Sequence, residues 1–255
     1  MLSGSRNDAL KFRGTQYNAS LIASDEPVSC PTHNYNTFVV SRQPLIIYIE
    51  NFLSPEESKH LLDISDDKFE PSTVTSGNPD DVSIRENIRV SESALLERDD
   101  IVRCIEHRAR AFQGWNPYLN IERLRTQRYT AGGYYKHHYD WNEGPQRSEN
   151  RITTFNVYVQ GDCEGGGTEF PRIKTPDTKK GRWCEFLECE DNSGEGEELE
   201  ERMGVTFKAI GGNAIFWENL SPDGTGYEET WHSGMPVKSG TKVGLNIWSW
   251  GIARR

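Results

Sequence analysis

The pattern of hydrophobic and polar positions changes near residue 120, and the two parts of the chain predict different secondary structure. In the first part, the apolar, β-branched run at 44–52 predicts a strand. Ser54-Pro-Glu-Glu57 then forms a capping box with proline at the first helical position, which predicts the start of a helix. Apolar residues recur at helical spacing over 101–112, so a second helix is expected between Asp99 and Gly114.

After residue 120 the pattern becomes one of short strands separated by glycine-rich turns. The predicted strands are 121–129, 153–159, 204–210, 213–217 and 242–252. Many short strands with glycine turns are typical of an antiparallel sandwich or barrel. We therefore expect an α+β protein, mainly β, with its helices packed on the outside. Residues 1–36 are predicted to be a polar N-terminal segment. Residues 37–255 are predicted to be one domain, with helical support over about 37–120 and the β core over about 121–255.

Charge and hydropathy exclude some classes of function. The net charge of -10 argues against a protein that binds nucleic-acid backbones, because that requires a basic face. Eight acidic and no basic residues fall between 188 and 201. We interpret this segment as a solvated loop, with a binding site for a basic partner as the alternative. No apolar run of about 18 residues occurs, so no membrane span is expected.

The cysteine pattern argues against a zinc knuckle, because none of the five cysteines forms a CxxC pair. Cys184 and Cys189 are close enough in sequence to be bridged in an oxidising compartment. The odd number leaves at least one thiol free. Cys104 falls on the apolar face of the second predicted helix, and the sequence does not decide the pairing.

His138-Tyr139-Asp140 is a candidate pair of metal ligands, because residues two apart on a strand point to the same face. His232 is the only histidine beyond this triplet in the β-rich half, and it is the candidate third ligand. Two histidines and one carboxylate on one face of an octahedron leave three positions open, which suits non-haem Fe(II). Zinc-dependent hydrolysis is the competing use of such ligands.

Lys242 lies ten residues after His232 and favours the iron interpretation. A buried ammonium beside a metal is costly unless it meets an anion. The far carboxylate of a dicarboxylic keto acid fits that position, with the other end of the molecule chelating the metal. An ordinary surface lysine is the alternative.

The region around the triplet resembles a known signature. Residues 129–140, YTAGGYYKHHYD, match the pattern Y-x-x-G-x-x-Y-x-x-H-x-D of the prolyl 4-hydroxylase family of Fe(II)/2-oxoglutarate-dependent dioxygenases. Further blocks follow in that family's order at 151–158, 166–171, 212–217 and 232–248. The resemblance extends over roughly residues 40–252.

The resemblance implies a double-stranded β-helix, or jelly-roll, with His138, Asp140 and His232 as the catalytic iron ligands. It also implies that Lys242, Tyr129 and Thr168 hold the distal carboxylate of 2-oxoglutarate, with Tyr158 as a weaker candidate. Packing roles remain the alternative for Tyr158 and Thr168. The implied reaction consumes O2 and 2-oxoglutarate, releases succinate and CO2, and uses ascorbate as reductant.

The resemblance further implies a proline-containing peptide or protein substrate. The residues that match peptide-facing positions are Arg89, Glu122, Tyr135, Arg151 and Trp248. Aromatic side chains suit a polyproline II peptide, whereas ordinary ion pairs are the alternative for the two arginines. The family commonly has histidine where this chain has Trp250, and the segment 171–204 is longer and more acidic than expected. Both departures affect the side expected to face the substrate.

Two alternatives to prolyl hydroxylation remain open at this point. One is the same chemistry on a different protein side chain or a small molecule, and the other is a catalytically silent binding module. For the compartment, we expect the secretory pathway or endoplasmic reticulum if a leader has been removed, with the sequon at Asn18 in support. A cytoplasmic location is the alternative. The sequence does not indicate the oligomeric state.

Overall fold

A computed structural model describes residues 27–75, 82–114, 119–142, 149–177, 181–189 and 203–252. The Asn18 sequon and residues 190–201 of the acidic segment lie outside the described residues. Within the described part, no helix is both long enough and apolar enough to pass through a lipid bilayer.

The described residues contain three α-helices and sixteen strands, joined by turns that include two short 3-10 helices, Asp66–Lys68 and Glu228–Thr230. The helices are α1 (Pro55–Asp63), α2 (Asp100–Phe112) and α3 (Trp183–Phe186). The strands are β1 (Asn36–Arg42), β2 (Leu45–Glu50), β3 (Glu70–Pro71), β4 (Val74–Thr75), β5 (Val82–Ser83), β6 (Arg89–Val90), β7 (Glu92–Leu95), β8 (Asn120–Ile121), β9 (Arg125–Thr130), β10 (Tyr134–His138), β11 (Glu149–Gly165), β12 (Thr168–Lys174), β13 (Met203–Phe207), β14 (Ala214–Glu218), β15 (His232–Gly234) and β16 (Val237–Ile252).

A nine-stranded antiparallel sheet, here called the major sheet, forms one layer. Its order is β1-β2-β14-β11-β16-β9-β7-β3, and β8 pairs with β16. The part of the chain expected to give helical support therefore also contributes strands to this sheet. β2 confirms the strand expected at 44–52. β1, β3 and β7 were not predicted, and the partner of β7 in this sheet, β9, lies far along the sequence. The strand expected at 121–129 is divided into β8 and β9.

The two predicted helices are present and cover the outer face of the major sheet. Ser54 and Glu57 form the capping box at the start of α1, and the side chain of Asp99 caps α2. Their apolar faces pack with the outward residues of the sheet into one core cluster. Arg108 of α2 ties the helices together by donating to both carboxylate oxygens of Glu57, at 2.6 and 2.8 Å.

A five-stranded antiparallel sheet, the minor sheet, has the order β13-β12-β15-β10-β6 and faces the inner side of the major sheet. Contacts between the layers define that arrangement. The Tyr158 hydroxyl on β11 donates to Thr168 Oγ1 on β12 at 2.7 Å, and Trp217 on β14 lies 4.9 Å from the His232 ring on β15. The predicted fold class, a mainly β jelly-roll with supporting helices, is confirmed.

Two disulfides link four of the five cysteines. Cys184–Cys189 is the pair that the sequence suggested. Cys30–Cys104 joins the N-terminal segment to α2 across 74 residues, and Cys163 is the free thiol. Disulfides are typical of oxidising compartments, which agrees with the expected secretory location. The compartment itself stays a prediction.

Candidate metal centre and cosubstrate pocket

The three candidate metal ligands lie together between the sheets because of how two short strands pair. His138 ends β10 and stands directly opposite His232, the first residue of β15. Asp140 follows two residues after His138. One ligand atom from each residue lies within 4.8 Å of the others, and the Nε2 atoms of His138 and His232 are 3.6 and 3.9 Å from the Asp140 carboxylate.

Backbone carbonyls fix the tautomer of both histidines. Nδ1 of His138 contacts the Lys136 carbonyl at 2.8 Å, and Nδ1 of His232 contacts the Thr230 carbonyl at 2.8 Å. Because a carbonyl oxygen can only accept, Nδ1 carries the proton in each ring, and the Nε2 lone pair faces the other ligands.

The pKa values of the histidines agree with a ligand role. Burial, together with the nearby His232, lowers the pKa of His138 to about 3. Burial also lowers the pKa of His232, against the opposing effect of Asp140. Both rings are therefore neutral at physiological pH, which is the form that binds a metal.

Two hydrogen bonds orient the Asp140 carboxylate. Its Oδ2 accepts from Thr154 Oγ1 at 2.9 Å and from Trp248 Nε1 at 3.0 Å, so Oδ1 is left as the ligand oxygen. Asn219 in turn donates to Thr154 Oγ1 at 2.9 Å. Burial alone raises the pKa of Asp140, but the two imidazoles, Arg151 and the hydrogen bond from Trp248 lower it on balance. The group is therefore a carboxylate, and this donor set of two imidazoles and one carboxylate fits Fe(II).

Lys242 is buried on β16, with 4% of its surface exposed. Its Nζ donates to the Gly166 carbonyl at 2.6 Å and lies 4.6 Å from the ring of Tyr129, which stands opposite Lys242 on β9. None of the described carboxylates forms an ion pair with it. Burial lowers the pKa of Lys242 to about 8. A buried ammonium without a carboxylate partner needs an anion, and the cosubstrate carboxylate expected from the sequence would supply one.

Thr168 and Tyr158 form a second part of this pocket. Thr168 Oγ1 accepts from the Tyr158 hydroxyl at 2.7 Å and from Asn156 Nδ2 at 2.8 Å, which leaves its own proton for another acceptor. Burial raises the pKa of Tyr158, so its hydroxyl stays a neutral donor. Tyr158 thus orients Thr168, and its direct contact with cosubstrate stays a prediction.

Sequence reasoning missed Thr154, Asn156 and Asn219. A signal for the first two was available. In the run TTFNVYV of β11, the polar residues Thr154, Asn156 and Tyr158 alternate with apolar ones, as inward-facing polar positions would. Asn219 lies outside a strand, and no pattern indicates its contact with Thr154.

The five residues expected to face a peptide are gathered beside the metal ligands. Arg151 pairs with Glu122 at 2.7 Å and lies 3.7 Å from the centre of the Trp248 ring. Arg89 lies 4.8 Å from the centre of the Tyr135 ring, which stacks on His138 at 3.7 Å. Trp248 has an additional role that the sequence did not suggest, because its indole N–H holds Asp140.

Comparisons with known proteins agree with a site for Fe(II) and 2-oxoglutarate. The profile of the 2OG-Fe(II) oxygenase superfamily matches residues 124–250. Probable prolyl 4-hydroxylase 10 of Arabidopsis thaliana is 30% identical over 215 residues, which are 82% of this chain and 70% of that protein. The chain belongs to the prolyl 4-hydroxylase family of these oxygenases.

Other relatives of the prolyl 4-hydroxylase family are similar over the same region. Prolyl 4-hydroxylase subunit alpha-3 of Mus musculus is 28% identical over 223 residues, covering 82% of this chain and 34% of that longer protein. Among solved structures, the 2OG complex of the viral collagen prolyl hydroxylase from Paramecium Bursaria Chlorella virus-1 matches with a TM-score of 0.57 and 25% identity. That match covers 81% of this chain and 96% of the viral one.

As a member of the prolyl 4-hydroxylase family, the protein is a 2-oxoglutarate-dependent dioxygenase that uses Fe(II). The zinc-hydrolase alternative is thereby set aside. The individual ligand assignments rest on the geometry above and stay predictions that metal and cosubstrate binding can test.

The hydrogen bond from Trp248 to Asp140 predicts that Trp248→Phe weakens Fe(II) binding by about tenfold, the lower end of the range for lost outer-shell contacts. Phenylalanine keeps an aromatic ring beside Arg151 but loses the N–H donor. Anaerobic equilibrium dialysis with Fe(II) measures the change. Trp183→Phe is the matched control, because Trp183 packs on Phe186 in a second core cluster, which is separate from the one beneath α1 and α2. Equal Fe(II) affinity in the two variants would contradict the role assigned to Trp248.

The lowered pKa of Lys242 predicts that 2-oxoglutarate binding weakens in alkaline solution. Below a pH of about 8 the side chain is an ammonium that attracts the carboxylate. Above that pH the charge is lost, so Kd should rise toward about tenfold for each further pH unit. Calorimetric titration across this range, with Mn(II) as the metal, measures the profile. Lys242→Met should bind weakly at every pH, and an identical slope in that variant would refute the assignment.

Proposed function

We propose that the protein hydroxylates prolyl residues in a peptide or protein substrate, consuming 2-oxoglutarate and O2 and releasing succinate and CO2. The observation that carries the proposal is the position of the peptide-facing candidates. Tyr135 stacks directly on the ligand His138, and Trp248 bonds directly to the ligand Asp140. A peptide held by these two aromatic residues therefore lies beside the metal.

The groove favours a neutral, extended peptide over a small charged molecule. Arg151 lies 3.7 Å from the centre of the Trp248 ring, and its charge is already neutralised by Glu122. The flat faces of Tyr135 and Trp248 suit the exposed rings of a polyproline II segment, which pays little ordering entropy on binding. The names of the plant, mouse and viral relatives support the same substrate class.

Different residues of the chain bind the metal and the cosubstrate. His138, Asp140 and His232 would hold Fe(II) through two neutral imidazoles and one carboxylate, a ligand set that leaves coordination positions free for cosubstrate and oxygen. When bound, Fe(II) and 2-oxoglutarate would together activate O2, which is the oxidant for hydroxylating an unactivated C–H bond. Lys242 and Thr168 bind the distal carboxylate and so fix which way the keto acid lies.

Aromatic side chains around His232 help to exclude bulk water from the metal site. Phe170 stacks on the His232 ring at 5.4 Å, and Trp217 meets it edge-on at 4.9 Å. These rings pack against His232, which is 5% exposed. The protein thus contributes ligand orientation, cosubstrate orientation and exclusion of solvent.

A panel of proline-rich peptides tests the proposal. With Fe(II), 2-oxoglutarate and ascorbate, at least one peptide should gain the mass of one oxygen atom, and hydrolysis should yield 4-hydroxyproline. The amount of succinate formed should equal the amount of hydroxylated peptide. The matched control peptides have alanine in place of proline, and His138→Ala is the matched control enzyme.

Oxygen incorporation at a residue other than proline would show that the chemistry is as described but the substrate differs. Trp250, which replaces the family's common histidine and lies 5.8 Å from Arg151 by ring centre, is the residue at which such a difference is expected to arise. Succinate formation without modification of any peptide would contradict the prolyl assignment.

A further inference from the structure

Arg125 is a half-buried arginine of β9 that was not among the residues predicted to form the site. It stands opposite Asn246 of β16 and Leu95 of β7. Because residues two apart on a strand share a face, Arg125 lies on the same face as Tyr129, whose ring is 4.6 Å from Lys242 Nζ. The Arg125 side chain therefore points toward the inner side of the major sheet, where the candidate site lies.

The charges around Arg125 are mostly positive. Burial lowers its pKa, and the neighbouring guanidinium groups of Arg89, Arg123 and Arg151 lower it as well. The Glu122 carboxylate acts in the opposite direction, but it is already bound by Arg151 at 2.7 and 3.2 Å. Because an arginine side chain stays protonated in proteins, this local excess of positive charge persists at any physiological pH.

Arg89 contributes a second charge beside the site. Its Nε donates to Ser91 Oγ at 2.7 Å, and its guanidinium lies 4.8 Å from the centre of the Tyr135 ring. Within the part of the chain that the structure describes, no carboxylate forms an ion pair with Arg89 or Arg125. These two residues, here called the arginine pair, therefore carry a charge that the described residues do not neutralise.

The arginine pair calls for an anion from outside the chain. Half-buried cations are costly unless a negative charge meets them. The distal carboxylate of 2-oxoglutarate is expected at Lys242, so the anion for the arginine pair comes from the other reactant, the prime substrate. A guanidinium binds a carboxylate through two parallel hydrogen bonds, which makes a carboxylate the best-matched acceptor.

We propose that Arg125 and Arg89 bind a carboxylate of the prime substrate, so that the enzyme selects peptides with an acidic residue near the target proline. This inference rests on the proposed hydroxylation of a prolyl peptide and adds a requirement on its sequence. The two sides of the groove then differ in charge. Beside Trp248 the charge of Arg151 is already neutralised, so the peptide segment there is neutral. The acidic residue lies on the other side, at the arginine pair.

Calorimetry with matched peptides tests the inference without relying on turnover. A proline-rich peptide receives glutamate at one position at a time on either side of the target proline, and each version has a glutamine counterpart. All are acetylated and amidated, so the two members of a pair differ only in the side-chain charge. Binding to the full chain is measured with Mn(II) and 2-oxoglutarate, in the absence of oxygen. At one position glutamate should bind about tenfold more tightly than glutamine, the gain expected from a charge-assisted hydrogen bond, and added salt should reduce the difference.

Two variants connect the preference to the arginine pair. Arg125→Gln should remove most of the preference for glutamate, because glutamine keeps a polar side chain but loses the charge. Arg128→Gln is the matched control. Arg128 lies on the same strand but on the opposite face, where it pairs with Glu92 at 2.8 Å, so this variant should keep the wild-type preference. A glutamine peptide with a free C-terminal carboxylate tests the chain end as the source of the anion.

Equal affinity for glutamate and glutamine at every position, or a preference that Arg125→Gln retains, would overturn the inference. A gain that only the C-terminal carboxylate produces would overturn the acidic residue as its source. Loss of 2-oxoglutarate affinity in Arg125→Gln, with the glutamate preference intact, would overturn it too, because Arg125 would then serve the cosubstrate. If glutamate peptides bind preferentially but none is hydroxylated with Fe(II) and O2, the proposed function fails and the site for an acidic group stands.

Discussion

The antiparallel pairing of β10 with β15 is the constraint on which the site depends. It sets His138 directly opposite His232, and the short reach from His138 to Asp140 then completes the ligand set. A shift of one residue in this register would turn one imidazole to the outer face of the minor sheet. The carbonyl of Lys136 on β10 and the carbonyl of Thr230, two residues before β15, fix the two tautomers. The register of the strands and the tautomers of the ligands are therefore set together.

From the opposite side of the site, side chains of the major sheet orient residues on and beside the minor sheet. On β11, Thr154 orients Asp140 while Asn156 and Tyr158 orient Thr168. One strand therefore supports both a candidate metal ligand and a candidate cosubstrate residue through alternate inward side chains. Its outward residues pack into the core cluster beneath α1 and α2, which gives the polar face a rigid base. A buried polar network of this kind is favourable only when each member has its partner.

The sequence predicted what local patterns determine. His138, Asp140, the two helix starts and the mainly β pattern follow from spacing, capping and glycine turns. Lys242 followed from its distance along the chain from His232, and the resemblance added Thr168. It did not predict the indole bond from Trp248 to Asp140, because that contact joins residues 108 positions apart. The Cys30–Cys104 bridge and strand β7 were undetected for the same reason: their partners are brought close only by the tertiary fold.

The central claim is that His138, Asp140 and His232 hold Fe(II) while Lys242 holds 2-oxoglutarate at the same centre. Anaerobic titration with Fe(II) and then 2-oxoglutarate tests it most directly, because a keto acid chelated to Fe(II) gives a weak visible charge-transfer band. The account predicts that the band appears in the wild-type protein and is absent from His138→Ala. A wild-type protein without the band, or a band of equal strength in His138→Ala, would contradict it.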